Sequence, residues 1–354
     1  MIDFGKLVES SDDVNYNDLN MLFESLDRKT SHTEARPAQK ESFDLLTKSR
    51  EKGDVVLKIS TGAGKTAVGL SYLYSYMKEK QEPVVYLCPT NQLVEQVCNE
   101  APKMGIKAVR YPAGQKHPGV DAMQAKAVIV CTYDKLFNAK TTFNRRDVLL
   151  TPCAMVLDDA HAGIEIIRKS FTLSLNNEQF RVLTSVLNSR CNEYRSGAWA
   201  DILNGDPLAI MEIPFWIWQS LEADVRKSLS VYKDESEFRF VWPYLSEILK
   251  SCKCIISGTG AEIIPDVIPI GFNRAYSDTA HKLFMTATLA DESTLVRELG
   301  CSPLSANTPL IPETDRGLGE RMVIAPSLVD RSLTREMTMS VCRSISFATL
   351  KLTS

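Results

Sequence analysis

The 354-residue chain lacks several features that would narrow its class at once. Its nine cysteines, an odd number, have no paired framework, which excludes a disulfide-stapled secreted domain and suits reduced thiols. No apolar run reaches the length of a membrane span. The opening residues, Met1–Asp13, are acidic and mixed, unlike a targeting leader. These absences lead to the expectation of a cytoplasmic or nucleoid-associated protein without a membrane partner. Charge of one sign is also missing: 41 Lys and Arg stand against 44 Asp and Glu, a net charge of −3. That excludes a uniformly basic nucleic-acid binder but not a protein with a local basic track. No internal repeat or low-complexity tract interrupts the chain.

What is present is an alternation of short apolar runs and amphipathic stretches. Leu19, Leu22, Phe23 and Leu26 recur at helical spacing, so residues 1–30 read as a helical extension. Strands are expected at Val55–Ile59, Val84–Cys88, Ala127–Cys131, Ala154–Leu157 and Lys282–Met285, and helices at Thr66–Lys78 and Asn91–Met104. The strands are apolar on both sides, as in a parallel sheet between two helical layers. The pattern predicts an α/β fold. Residues 163–280 differ: long helical patterns dominate, all four tryptophans lie there, and Gly258-Thr259-Gly260 marks a hairpin near the end. This segment reads as a mainly helical insertion, with the sheet resuming after it.

Ser60-Thr61-Gly62-Ala63-Gly64-Lys65-Thr66-Ala67 follows a predicted strand and opens a predicted helix. In that context the glycines let backbone N–H groups curl around phosphate oxygens, and the helix N-terminus adds dipole charge. Lys65 would neutralise the distal phosphates of ATP and the Thr66 hydroxyl would ligate Mg2+. Ile59 stands where the general phosphate-loop pattern has glycine. The second cluster, Asp158-Asp159-Ala160-His161, ends the strand Ala154–Leu157. An acidic pair there faces the ligand crevice of such a sheet. Asp158 would hold Mg2+, Asp159 would orient or deprotonate the attacking water, and His161 would link this strand to the far side of the ATP site. The bland alternative is that both aspartates cap the next helix.

These two clusters resemble motifs of superfamily 2 DExH/DEAD-type helicases: the Thr-Gly-x-Gly-Lys-Thr core and the Asp-Glu-x-His box, with Asp159 in place of the usual Glu. The shorter arm retracts the carboxylate, and a displacement of about 1 Å can cost on the order of a hundredfold in rate. Other segments follow the family order. Arg36-Pro37-Ala38-Gln39 resembles the Q motif, whose Gln reads the adenine edge. Pro89-Thr90-Asn91-Gln92-Leu93 is similar to motif Ia, and Thr132-Tyr133 to a later backbone-contacting motif. These imply strand contacts by Pro89, Thr90, Gln92, Thr132 and Tyr133. Thr286-Ala287-Thr288 resembles motif III, which couples the two sites. Each is also readable as an ordinary helix start or cap. The resemblance implies a RecA-like P-loop NTPase lobe that uses ATP and Mg2+ with DNA or RNA as partner.

The long insertion before motif III is similar in arrangement to the DinG/XPD-like branch, which often holds an iron–sulfur cluster. Cys88, Cys98, Cys131 and Cys153 lack cluster spacing, and Cys252 and Cys254 read better as buried thiols than as metal ligands. The tryptophans are readable as base-stacking groups, or more simply as the core of the insertion. The expected layout is an extension at 1–30, the ATP-binding lobe at 31–162 plus 281–300, the insertion at 163–280, and a linker with the start of a second lobe at 301–354. A strand at Arg321–Ala325 and a helix at Ser332–Arg343 would begin that lobe, which a partner or a longer chain would complete. The leading expectation is an ATP-dependent helicase or translocase. The alternatives are a non-hydrolysing nucleotide-sensing or nucleic-acid-binding module, a helicase remnant, and a P-loop kinase of small molecules.

Overall fold

The computed structural model describes residues 15–29, 34–145, 148–235, 238–287, 292–315, 328, 330 and 332–342. Its centre is a six-stranded sheet: β1 (Asp54–Lys58), β2 (Val84–Cys88), β3 (Ala108–Arg110), β4 (Val128–Thr132), β7 (Ala154–Leu157) and β12 (His281–Thr286). The order across the sheet is β1-β12-β7-β2-β4-β3, and every pairing is parallel. A two-residue hairpin, β5 (Asn144–Arg145) and β6 (Val148–Leu149), stands apart.

The strands alternate between two cores. Leu57, Tyr86 and Val156 face a core shared with helices α1 (Leu19–Ser25), α2 (Pro37–Lys48), α3 (Lys65–Lys80) and α4 (Asn91–Glu100). Val56, Leu87 and Leu157 face the opposite core, which contains Ile164 and Ile167 of α5 (Ala160–Ser170) and Leu295 of α9 (Glu292–Leu299). Burial on both faces explains why these strands read as continuous apolar runs, each buried Val or Leu contributing roughly 1.5–3 kcal/mol. The resumed strand β12 lies inside the sheet, between β1 and β7. The chain therefore leaves the sheet after β7, builds the insertion and returns to fill an interior position.

The five strands expected in the sheet and the helix Thr66–Lys78 fall within two residues of the observed ones, unlike the helix Asn91–Met104. It ends at Glu100, and a tighter turn covers Ala101–Met104. The α1 helix places Leu19, Leu22 and Phe23 in the lobe's own core.

Helices make up most of the insertion: α6 (Asn177–Leu203), α7 (Phe215–Leu229) and α8 (Phe238–Ile248). It also contains an antiparallel sheet, β8 (Leu173–Leu175), β9 (Ile210–Glu212), β10 (Cys252–Ser257) and β11 (Gly260–Pro265), in the order β8-β11-β10-β9. The hairpin β10–β11 is the one expected at Gly258-Thr259-Gly260. Cys252, Cys254 and Ile256 of β10 point into a separate core with Trp199, Trp218 and Trp242. The Trp218 indole donates to the Leu249 carbonyl at 2.7 Å. Trp216 alone of the four tryptophans is exposed.

The chain after α9 returns to β1. Leu310 exchanges backbone hydrogen bonds with Val56 and Lys58, each 2.8 Å, and adds a parallel bridge to Leu57. Residues 318–354 form a second unit. Within it a helix spans 335–342, and Thr334 Oγ1 accepts the Met337 N–H at 3.3 Å. The expected strand Arg321–Ala325 and the helix end at Arg343 lie outside the described residues.

Candidate nucleotide and nucleic-acid site

Parallel strands deliver their C-terminal ends to one edge of the sheet, and this chain's polar clusters sit there. The loop Ser60–Gly64 follows β1, Pro89-Thr90 follows β2, Thr132-Tyr133 ends β4, Asp158-Asp159 follows β7, and Thr286-Ala287 ends β12. Thr288 lies outside the described residues.

A cavity of about 450 Å³ opens at this edge, lined by Arg36, Gln39, Thr61, Gly62, Gly64, Lys65, Thr66, Ala67 and Asp158. Phe23, Glu34, Leu93, Gln96 and Glu100 complete its wall. From sequence Phe23 reads as core, Glu34 as the end of a polar stretch, Leu93 as part of the motif Ia-like segment, and Gln96 and Glu100 as an ordinary helix face. The loop turns into α3 through Gly64, whose left-handed φ of 94° is open to glycine and strained for other residues. Two side chains of the Arg36–Gln39 segment hold its carbonyls. Arg36 Nη1 donates to Gly62 O at 2.6 Å, and Gln39 Nε2 donates to Gly64 O at 3.2 Å. The Gln39 Oε1 accepts the Arg36 N–H at 2.8 Å. Gln39 thus ties the start of α2 to the phosphate loop, with one amide N–H and one Oε1 lone pair still uncommitted.

Asp158 is 9 % exposed. Burial pushes its carboxyl above the ordinary carboxylate value, while the Lys65 ammonium and the Tyr86 hydroxyl pull it back. Lys65 and Asp158 line the same cavity. Asp158 and Thr66 supply hard oxygen donors to one space, and no cluster of three His, Cys, Asp or Glu exists among the described residues. This arrangement fits Mg2+, which keeps waters and phosphate oxygens in its shell and takes only one or two protein ligands.

Asp159 is exposed and occupies the N-cap of α5, but its side chain makes no capping hydrogen bond. Its φ of 48° and ψ of 61° lie in the left-handed region, a strained setting for a residue with a Cβ. Helix capping therefore does not explain this carboxylate. His161 Nε2 is buried without a hydrogen-bond partner.

Of the residues expected to touch a nucleic-acid strand, Thr90 and Gln92 are exposed, and Pro89 and Thr132 are half-buried. Thr90 also caps α4, accepting the Leu93 N–H at 3.2 Å. Tyr133 differs: its side chain is fully buried, and its hydroxyl donates to the Asp158 carbonyl at 2.8 Å. A tyrosine at a strand end reads as a surface contact from sequence, but here the ring fills the space under the acidic cluster.

Residues 36–188 match the family model of DEAD/DEAH box helicases. The match covers less than half of the chain, and it includes the phosphate loop and the acidic cluster. No curated protein matches the chain by sequence. Among solved structures, the chain is similar to S. tokodaii Xpd4, with 17% identity, a TM-score of 0.47, and coverage of 79% of this chain and 61% of that one. A structure titled XPD helicase gives 14% identity, a TM-score of 0.48, and coverage of 79% and 62%. The RNA-helicase Prp28 from Chaetomium thermophilum bound to ADP gives 24% identity, a TM-score of 0.33, and coverage of 43% and 39%. The chain spans about three-fifths of the length of the two XPD structures. No helix among the described residues is long and apolar enough to cross a membrane.

Proposed function

We propose that this chain is the ATP-binding part of a helicase or translocase that hydrolyses ATP when engaged with DNA or RNA. One observation carries the reading: Lys65, Thr66 and Asp158 line a single cavity at the C-terminal edge of a parallel sheet, with Thr90, Gln92 and Thr132 farther along the same edge. The helicase family match over residues 36–188 supports the nucleic-acid side of the reading.

In this reading the loop N–H groups and Lys65 hold the distal phosphates of ATP. Thr66 and Asp158 hold Mg2+, whose contribution when bound is to neutralise charge on the transferring phosphoryl group. Asp159 projects from the next peptide and orients the attacking water. Thr90, Gln92 and Thr132 face the phosphate backbone of a strand, where such contacts position without reading sequence. Thr286 and Ala287, at the end of the strand between β1 and β7, sit between the phosphate loop and the acidic cluster and would couple nucleotide state to the rest of the edge.

The test is phosphate release with and without single-stranded DNA and RNA, in the wild type and in Lys65→Ala. Stimulation by one nucleic acid, absent in the variant, is the expected result. Turnover indifferent to both nucleic acids would favour the small-molecule kinase. ATP binding without turnover, unrestored by Asp159→Glu, would favour the nucleotide-sensing module, for which the short Asp159 arm is the specific argument.

A further inference from the structure

Two buried phenols converge on the acidic cluster, and neither has a role in the reading above. Tyr86 sits in the middle of β2 among Val84, Val85, Leu87 and Cys88, all fully buried. Its hydroxyl donates to Asp158 Oδ2 at 3.2 Å, the carboxylate assigned to the metal. Tyr133, also fully buried, donates instead to the Asp158 carbonyl. That carbonyl belongs to the peptide leading into the left-handed Asp159.

Each ring occupies a slot that a glycine leaves open. A Cβ on Gly69 of α3 would stand 2.8 Å from the Tyr86 ring, 3.0 Å from Met285 Cε and 3.2 Å from Val156 Cγ1. A Cβ on Gly163 of α5 would stand 2.5 Å from the Tyr133 ring. An apolar residue would fill either slot without a polar atom to satisfy. A buried hydroxyl is tolerated only with a partner, and each of these finds its partner on Asp158.

We infer that Tyr86 and Tyr133 are positioning residues for the acidic cluster: Tyr86 aims the Asp158 carboxylate at the metal, and Tyr133 fixes the peptide from which the Asp159 carboxylate projects. The inference rests on the ATP–Mg2+ reading. Tyr133 directly follows Thr132, so a strand contact at Thr132 lies one residue from the group that holds the Asp158–Asp159 peptide.

The experiment measures ATP affinity in Mg2+ and in EDTA, steady-state phosphate release, and thermal melting, for the wild type, Tyr86→Phe, Tyr133→Phe, Gly69→Ala and Lys65→Ala. Tyr86→Phe should reduce the tightening of ATP by Mg2+ by about tenfold and leave affinity in EDTA unchanged. Gly69→Ala, which displaces the same ring, should act in the same direction, and it serves as the test if Tyr86→Phe does not fold. Tyr133→Phe should keep the Mg2+ effect and lower kcat by about tenfold or more with KM unchanged. A drop in melting temperature with the Mg2+/EDTA ratio and kcat both intact overturns the proposal and leaves the tyrosines as packing groups. If Lys65→Ala loses ATP while Tyr86→Phe retains the full Mg2+ effect, the positioning role fails and the ATP reading stands. If Lys65→Ala binds ATP like the wild type, both fail.

Discussion

The lobe and the insertion solve burial differently. In the lobe, β2 and β7 are buried along their whole length between two helical layers. Apart from the Tyr86 hydroxyl on Asp158, the polar groups of such strands gather at the strand ends, where the loops collect at one edge. In the insertion, β10 alternates buried and exposed residues: Cys252, Cys254 and Ile256 face inward, while Lys253 and Ile255 face outward. Its outward residues lie along an open face and not at a strand end. The lobe thus collects its polar side chains at one edge, and the insertion maintains a core of its own.

The largest expected effect tests that separation. Trp218 is fully buried and its indole is hydrogen-bonded to the Leu249 carbonyl. Trp218→Ala should cost the insertion about 3–5 kcal/mol, while ATP affinity stays at the wild-type value. Paired calorimetric melts and nucleotide titrations check this, and a parallel loss of affinity would break the comparison. A smaller effect is expected where the helix leading into the insertion meets the lobe. The side chain of Glu298 on α9 is fully buried and paired with Arg168 of α5 at 2.5 Å. Arg297 also contacts it, at 2.8 Å. Arg168→Ala should destabilise the lobe by about 1–3 kcal/mol, because the buried Glu298 carboxylate keeps only Arg297 and the Ile268 N–H as partners, measured by urea denaturation, and Glu298→Gln in the same background should recover part of the loss. The smallest change in stability carries the sharpest functional sign. Asp159→Gly should stabilise the fold by about 1 kcal/mol by relieving the left-handed backbone, yet reduce phosphate release to background. A variant that melts lower, or turns over normally, would remove Asp159 from the proposed site.

These regions also differed in what the sequence disclosed. The doubly buried strands of the lobe are continuous apolar runs, and the loops after β1 and β7 combine glycine, lysine and acidic residues that point to phosphate and metal. Leu173–Leu175 and Ile210–Glu212 are three-residue strands flanked by helical patterns, too short for an alternation to register. The insertion's sheet was therefore visible only at its glycine-marked hairpin. Sequence order placed Gln39 and Tyr133 near the site but not the direction of their polar atoms, which depends on tertiary neighbours. Gln39 turns to the loop carbonyl of Gly64, and Tyr133 turns inward because Gly163 leaves it room. The return of Leu310 to β1 was likewise hidden, since a single bridge depends on pairing with a distant strand and leaves no periodic signal.

The central claim is that Lys65 and Asp158 converge on one metal–triphosphate. Isothermal titration of ATP in Mg2+ with the wild type, Lys65→Ala and Asp158→Asn measures it directly. The account predicts that both variants lose at least about a hundredfold in affinity, and that in EDTA only Lys65→Ala still differs from the wild type. Equal binding by all three proteins in Mg2+ would contradict it.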